Sequence, residues 1–387
     1  METEINKILK MPAGSVHDVK YLYVAIAGIN KKGGLIGNKD RDIDYIKLTI
    51  NNYNDNKAAN FGFYFKPKEV NLEVVKNVIK ELIALKLIKY EFESYELTKE
   101  GKKIASLIEQ KKSEEIKIIF TKLLMENYSI FSDFLKKILK MSNGDGVPLP
   151  IITSEVYDRF NGELENIAEN YINILNKYTK LNITFNELIN NFNKIKLPEK
   201  KTDKIRAIQT LLEKNIISAA FSPILTSRRA YDFVRSRTTS LELTNYATIN
   251  IDGFPVEVTY MISAFEPVFN YHTRIIKYLN ETIYINLPRY EEISSTFKNA
   301  INNTYINRKD DFGYVKVSDL RDSVCRELKI SDNLFDDYIK KSYSESPHWL
   351  SFTYAGAADK ITDKRLPIVF EKPMREFFTL VRVNPFR

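Results

Sequence analysis

Residues Asn71–Ile108 read NLEVVKNVIKELIALKLIKYEFESYELTKEGKKIASLI. Val74, Val75, Val78, Ile79, Leu82, Ile83, Leu85 and Leu87 recur at helical spacing, with Lys76, Lys80 and Lys86 interspersed. That pattern predicts an amphipathic helix. Two short runs follow, Leu87–Phe92 and Tyr95–Thr98, separated by Glu93 and Ser94, and they predict a two-stranded hairpin. Lys99–Ala105 opens a second helix.

This order of helix, ribbon and helix resembles the back half of a domain of the winged-helix (winged helix-turn-helix) superfamily. The resemblance implies a module that lays a helix in a DNA groove. Winged helices also mediate protein–protein contact and dimerisation. Lys76 and Lys80 are four apart and share a helix face, as a groove-reading helix requires. Lys89 and Glu93 fall on the wing. Against DNA contact stand Glu69, Glu73 and Glu81, because carboxylates facing phosphates are unfavourable.

Upstream, His17–Asn30 and Asp40–Asn52 read as helices, Asn54–Asn60 as a polar loop, and Phe61–Phe65 as a short strand or buried loop. Together these segments form a first unit over residues 1–112. A helical connector is expected over 113–147, with a break near Asn127. The run Ser142–Pro150 (SNGDGVPLP) reads as a linker, since Gly and Pro break helix and strand alike.

Residues 148–288 read as a central helical domain with a β-ribbon. Glu155–Tyr178, Asn186–Asn193 and Lys204–Lys214 carry helical spacing, and the period turns strand-like from Ile216. Thr248–Ile251 and Val256–Tyr260 alternate around Asp252-Gly253, a strong hairpin signal. Helices first and a ribbon after them are the order of a second winged helix. Residues 267–305 read as helical apart from a break at Tyr284–Pro288. In residues 289–387, helices at Asp319–Leu328 and from Ser331 to Lys341 precede strands at Trp349–Tyr354, Pro367–Phe370 and Phe377–Val383, a third such unit. The expected fold class is therefore α+β, helix-rich, with two or three winged-helix units joined by helical segments.

The 387 residues exceed one small domain, and 44% hydrophobic residues suffice for packed cores. Lys and Arg number 58 against 50 Asp and Glu, a net charge of +8. That balance permits a polyanionic partner without demanding one. Abundant Asn, Ile, Lys and Tyr also follow from AT-rich coding, which by itself raises the charge. With one cysteine, Cys325, no internal disulfide or Cys-based zinc site forms, and His17, His272 and His348 lie far apart. No run of about 18 apolar residues suggests a membrane span. Met1–Asn6 lacks a signal-peptide core. The expectation is a cytoplasmic protein without a cofactor, nucleoid-associated where it binds DNA.

The second candidate contact is Ser227–Thr239, SRRAYDFVRSRTT. Arg228, Arg229, Arg235 and Arg237 cluster in a chain that otherwise prefers lysine. Arginine makes bidentate bonds to phosphate and guanine, and Tyr231 or Phe233 offers a ring for base stacking. The plainer alternative is a set of Arg–carboxylate pairs with Asp232 and Glu242. A third patch holds Lys194, Lys196, Lys200, Lys201, Lys204 and Arg206, with a solvated helix face as its plainer alternative.

No nucleotide-binding loop is present; Gly33–Gly37 lacks the lysine-hydroxyl pair and reads as a turn. Asp252 and Glu257 loosely echo a restriction-type nuclease centre, but Thr259 stands where lysine belongs and Asp252 serves the turn. His272, His348 and Cys325 read as structural. The leading expectation is a non-enzymatic protein that contacts double-stranded DNA through winged-helix units and an arginine-rich wing. It would serve as the DNA-reading subunit of a regulatory, replication or defence complex, with a protein partner or a second copy beside it. The alternatives are an interaction scaffold in an ATPase or nuclease complex, and a divergent metal-dependent nuclease.

Overall fold

The computed structural model describes residues 18–33, 39–60, 69–140, 145–179, 198–221, 225, 227–264, 272–278, 281–353, 368–370 and 376–384. The expected elements at Phe61–Phe65 and Asn186–Asn193, most of the Gly33–Gly37 turn, His17, Lys194 and Lys196 lie outside these residues. The described chain is helix-rich α+β, and all its strand pairs are antiparallel.

The first unit comprises α1 (Lys20–Lys31), α2 (Lys39–Asn60), α3 (Leu72–Ala84), β1 (Ile88–Glu91), β2 (Ser94–Leu97) and α4 (Lys99–Glu109). The Asn71 side chain caps α3 by accepting from the Val74 N–H at 3.0 Å. Val75, Val78, Ile79 and Leu82 face inward. Lys86 adopts φ 57° after the last turn, and the Leu87 N–H reaches the Leu82 carbonyl at 2.8 Å. This is a Schellman-type stop with lysine where glycine is usual. Phe92 and Glu93 both have positive φ, so a two-residue type I′ turn joins β1 to β2. Thr98 caps α4. The polar stretch expected as a loop, Asn54–Asn60, instead continues α2. It contains no Gly or Pro to stop the helix, and buried Asn54 accepts from the Tyr21 hydroxyl on α1.

The middle region runs α5 (Ser113–Asn127), α6 (Ser129–Lys140), β3 (Asp145–Pro150), α7 (Ser154–Arg159), α8 (Leu164–Thr179), α9 (Lys201–Phe221), α10 (Arg228–Ser240), β4 (Thr244–Ile251) and β5 (Phe254–Met261). The break near Asn127 falls at Tyr128, whose backbone is extended. Asp145–Pro150 of the expected linker form β3, an edge strand on β5 in a sheet ordered β3-β5-β4. An edge is where a strand tolerates Pro148 and Pro150. Gly146 fits because a Cβ there would lie 2.3 Å from the Thr259 carbonyl oxygen. The β4–β5 turn has positive φ at Asp252 and Gly253, as the sequence signal requires.

Two further expectations change. The segment after Ile216 stays helical to Phe221, and the arginine cluster lies on helix α10 and not on a wing. Instead of helix, Thr273–Tyr278 (β7) and Glu281–Asn286 (β8) form a hairpin, with Ser263–Ala264 (β6) on the other side of β8. Burial alternates there: Arg274 and Ile276 point in, Ile275 and Lys277 out, which is the two-residue period of a strand.

The C-terminal unit comprises α11 (Tyr290–Arg308), β9 (Val315–Lys316), α12 (Val317–Leu328), α13 (Asp332–Glu345), β10 (Leu350–Thr353), β11 (Ile368–Phe370), β12 (Glu376–Phe378) and β13 (Leu380–Val383). Ser331 caps α13 through the Leu334 N–H. Phe297, Leu320, Phe335 and Ile339 form its core, which also takes in Ala247, Tyr260 and Ile262 of the middle region. A second core runs unbroken from Val19 to Ile285, joining the first unit to the middle without a seam at the expected linker.

Gly146→Ala is expected to destabilise the chain by about 2 kcal/mol or more, because backbone must give way to backbone. A urea midpoint equal to wild type would show that β3 is not held against β5.

Candidate nucleic-acid interface

Helix α10 begins at Ser227, whose hydroxyl accepts from the Ala230 N–H. Its arginines then turn toward carboxylates of other elements. Arg228 bonds Glu213 of α9 at 3.0 Å, Asp232 one turn along at 2.9 Å, and Glu257 of β5 at 2.9 Å. Arg235 bridges Asp232 and the same Glu257. Arg237 and Glu81 of α3 face each other at 2.6 Å, both 0% exposed. Tyr231 is buried, donates to the Thr259 hydroxyl at 2.8 Å, and packs its ring against Phe134 and Phe221.

The expected arginine interface is thus corrected by burial. Arg237 and Tyr231 have no surface to offer a phosphate or a base; Arg228 and Arg235 share Asp232 and Glu257, and Arg228 also pairs with Glu213. Only Arg229 of the cluster is exposed. The plainer alternative named Asp232 as a partner, and Asp232 does pair; the other partners come from distant elements. Glu242 pairs instead with Lys117 and Arg274.

The third patch divides. Lys201 is held by Asp158 at 2.6 Å and lies over the Tyr157 ring. Lys204 is half-buried, whereas Arg206 is exposed. Arg206, Thr210 and Lys214 follow one another at four-residue steps along α9. They line an open groove together with Pro198, Asp203, Ala207 and Leu211. Lys214 belongs to this stripe; its four-residue step from Thr210 was the available signal.

On α3, Lys76 and Lys80 are exposed and form no ion pair with a described residue. Two of the three carboxylates weighed against them are accounted for. Glu81 is buried on Arg237, and Glu69 pairs with Lys47 at 3.0 Å. Of the three, Glu73 remains exposed, on a helix that also exposes Leu72 at its start and Ile83 near its end. The wing has the opposite character. Lys89 is engaged by Glu91 and Glu96, Glu93 is exposed, and Phe92 at the tip is 93% exposed. Tyr90 is partly exposed and touches the Tyr95 ring. Nothing in the hydrophobic period marked Phe92 as a surface residue.

The remaining chemistry-bearing residues are apart. Asp252 pairs with Lys177 at 3.0 Å, while Glu257 is held by the arginines. Asp252 lies in the β4–β5 turn and Glu257 within β5, and each is engaged by different cations. Among the described residues no group of His, Cys, Asp and Glu is arranged to hold a metal ion. Cys325 is buried beside the Ser331 carbonyl, as expected of a core residue. His272 and His348 are exposed. No described helix is long and apolar enough to cross a membrane. Compared with protein-family models, curated proteins and solved structures, the chain matches none.

Glu242 joins three elements: Lys117 of α5 at 2.7 Å, Arg274 of β7 and Asn333 of α13 at 2.7 Å. Burial opposes its ionisation, yet Lys117, Asn333 and Arg274 outweigh burial and hold the carboxyl below its usual range. A depressed carboxyl stabilises the fold above its unfolded pKa and loses that contribution as pH falls through the folded value. Glu242→Gln is therefore expected to melt below wild type at pH 7, by about 2 kcal/mol or more. The gap should narrow as pH falls below about 4. A gap independent of pH would contradict the charge assignment.

Proposed function

We propose that this chain is a non-enzymatic protein that binds duplex DNA through winged-helix units, with α3 of the first unit as the contacting helix. The observation that carries the reading is the division of α3 into two faces. Its inward face buries Glu81 on Arg237, and its outward face presents Lys76 and Lys80 one turn apart. A helix so divided keeps Glu81 away from phosphate, leaves Glu73 of the first turn as its exposed carboxylate, and offers two cations at a spacing suited to a groove. The β1–β2 hairpin follows it directly, as a wing does. The exposed Arg206–Lys214 stripe and Arg229 supply further positive charge for sequence-independent attraction. Alanine at Lys76 and Lys80 together is expected to weaken binding to random-sequence duplex at low salt about tenfold. The same change should flatten the slope of log affinity against log salt by roughly two. Wild-type protein that fails to shift duplex DNA even at low salt would end this reading.

A second reading rests on the wing. Its tip combines one lysine with three glutamates and an almost fully exposed phenylalanine, which suits a protein partner with an apolar pocket and a basic rim better than it suits phosphate. This is the interaction-scaffold role, and it is compatible with DNA contact by α3. Phe92→Asn places a residue that tolerates positive φ in the turn. The variant is expected to melt no lower than wild type while losing a co-purifying partner. Retention of that partner would remove the wing from the interface.

A further inference from the structure

The joint between α3 and α10 is polar where an apolar joint would pack. Glu81 and Arg237 pair at 2.6 Å with neither exposed, and the Arg237 guanidinium lies over the Phe233 ring at 4.9 Å. Around them, the Asn77 amide nitrogen, the second Glu81 carboxylate oxygen and the hydroxyls of Tyr23 and Tyr128 are buried without a hydrogen-bond partner among the described residues. Both phenols lie within reach of the Arg237 charge. Asn77 and Glu81 are one turn apart on the inward face of α3. Lys76 and Lys80 each precede one of them in sequence and point outward.

A buried ion pair with unmet hydrogen-bonding capacity is a poor source of stability. Apolar side chains of similar volume would satisfy such a joint at least as well. What the pair does supply is direction. The guanidinium is held on one side by a single Glu81 oxygen and on the other by the Phe233 ring of its own helix, so the contact limits how far α3 can rotate or slide against α10.

We propose that Arg237 is a positioning residue for the DNA contact: through Glu81 it sets the rotation of α3, and thereby the placement of Lys76 and Lys80. This rests on the reading of α3 as the contacting helix. The arginine that sequence pattern suggested as a phosphate ligand then acts on DNA at one remove, from inside the protein.

The test uses the full chain and a fluorescent random-sequence duplex at low salt. The double variant Glu81→Leu/Arg237→Met replaces the pair by apolar side chains. It is expected to melt no lower than wild type and to bind the duplex at least about tenfold more weakly. A purely structural role predicts unchanged affinity in any folded variant. Lys76→Ala/Lys80→Ala is then added to both backgrounds. Its effect should be large in wild type and nearly absent in the apolar-joint variant, because there the lysines are already misplaced. Equal effects in both backgrounds, or wild-type affinity in the apolar-joint variant, overturns the positioning role and leaves the DNA reading standing. A lower melting temperature for the double variant overturns the claim by showing that the pair serves stability. Should that variant not fold, Glu81→Gln provides the same comparison, since it keeps the shape and removes the charge that holds the guanidinium. Absence of duplex binding by wild type overturns both readings together.

Discussion

A carboxylate and a guanidinium, both sealed from solvent, tie the first unit of this protein to its middle. Glu81 comes from the helix that precedes the hairpin, and Arg237 from the helix that precedes the middle ribbon, 156 residues later. Neither charge is tolerable in that interior alone. The two elements must therefore meet, and meet in one orientation. The continuous apolar core from Val19 to Ile285 grows around that meeting. The outward face of α3 is what the pairing leaves over.

The same logic recurs in weaker form elsewhere. Arg228 and Arg235 hold α9, α10 and β5 together through Glu213, Asp232 and Glu257. Glu242 gathers α5, β7 and α13. Asp322 accepts the Thr248 N–H, and Asn245 donates to Asp332, so the C-terminal unit docks on β4 by polar contacts beside a shared apolar patch. Several charged residues of the described chain thus serve as joints between elements. Exposed cations outside these joints include Lys76, Lys80, Arg206, Lys214 and Arg229, which are open to an outside polyanion.

Local features of the fold were legible from sequence. The α3 period, the hairpin after it, the start of α13 at Ser331, the break near Asn127 and the Asp252-Gly253 turn each rest on neighbouring residues, and each forms as the pattern suggests. What failed was decided by distant partners. Gly146, Pro148 and Pro150 look like a linker until β5 lies beside them. Thr273–Asn286 carries β-branched residues that also suit a buried helix face. The arginine cluster resembles a phosphate site because its partners Glu81, Glu213 and Glu257 are remote in sequence. Only the folded chain brings them within bonding distance. The exposure of Lys76 and Lys80 on one face of α3 follows from the helical period, and the burial of Glu81 was hidden because its partner was out of sight.

The division of labour between an outward lysine face and an inward arginine helix can be seen directly by hydrogen-exchange mass spectrometry with and without duplex DNA at low salt. The account predicts slowed exchange across Leu72–Ala84 on addition of DNA and unchanged exchange across Arg228–Ser240. Protection confined to Arg228–Ser240, with Leu72–Ala84 unaffected, would contradict it.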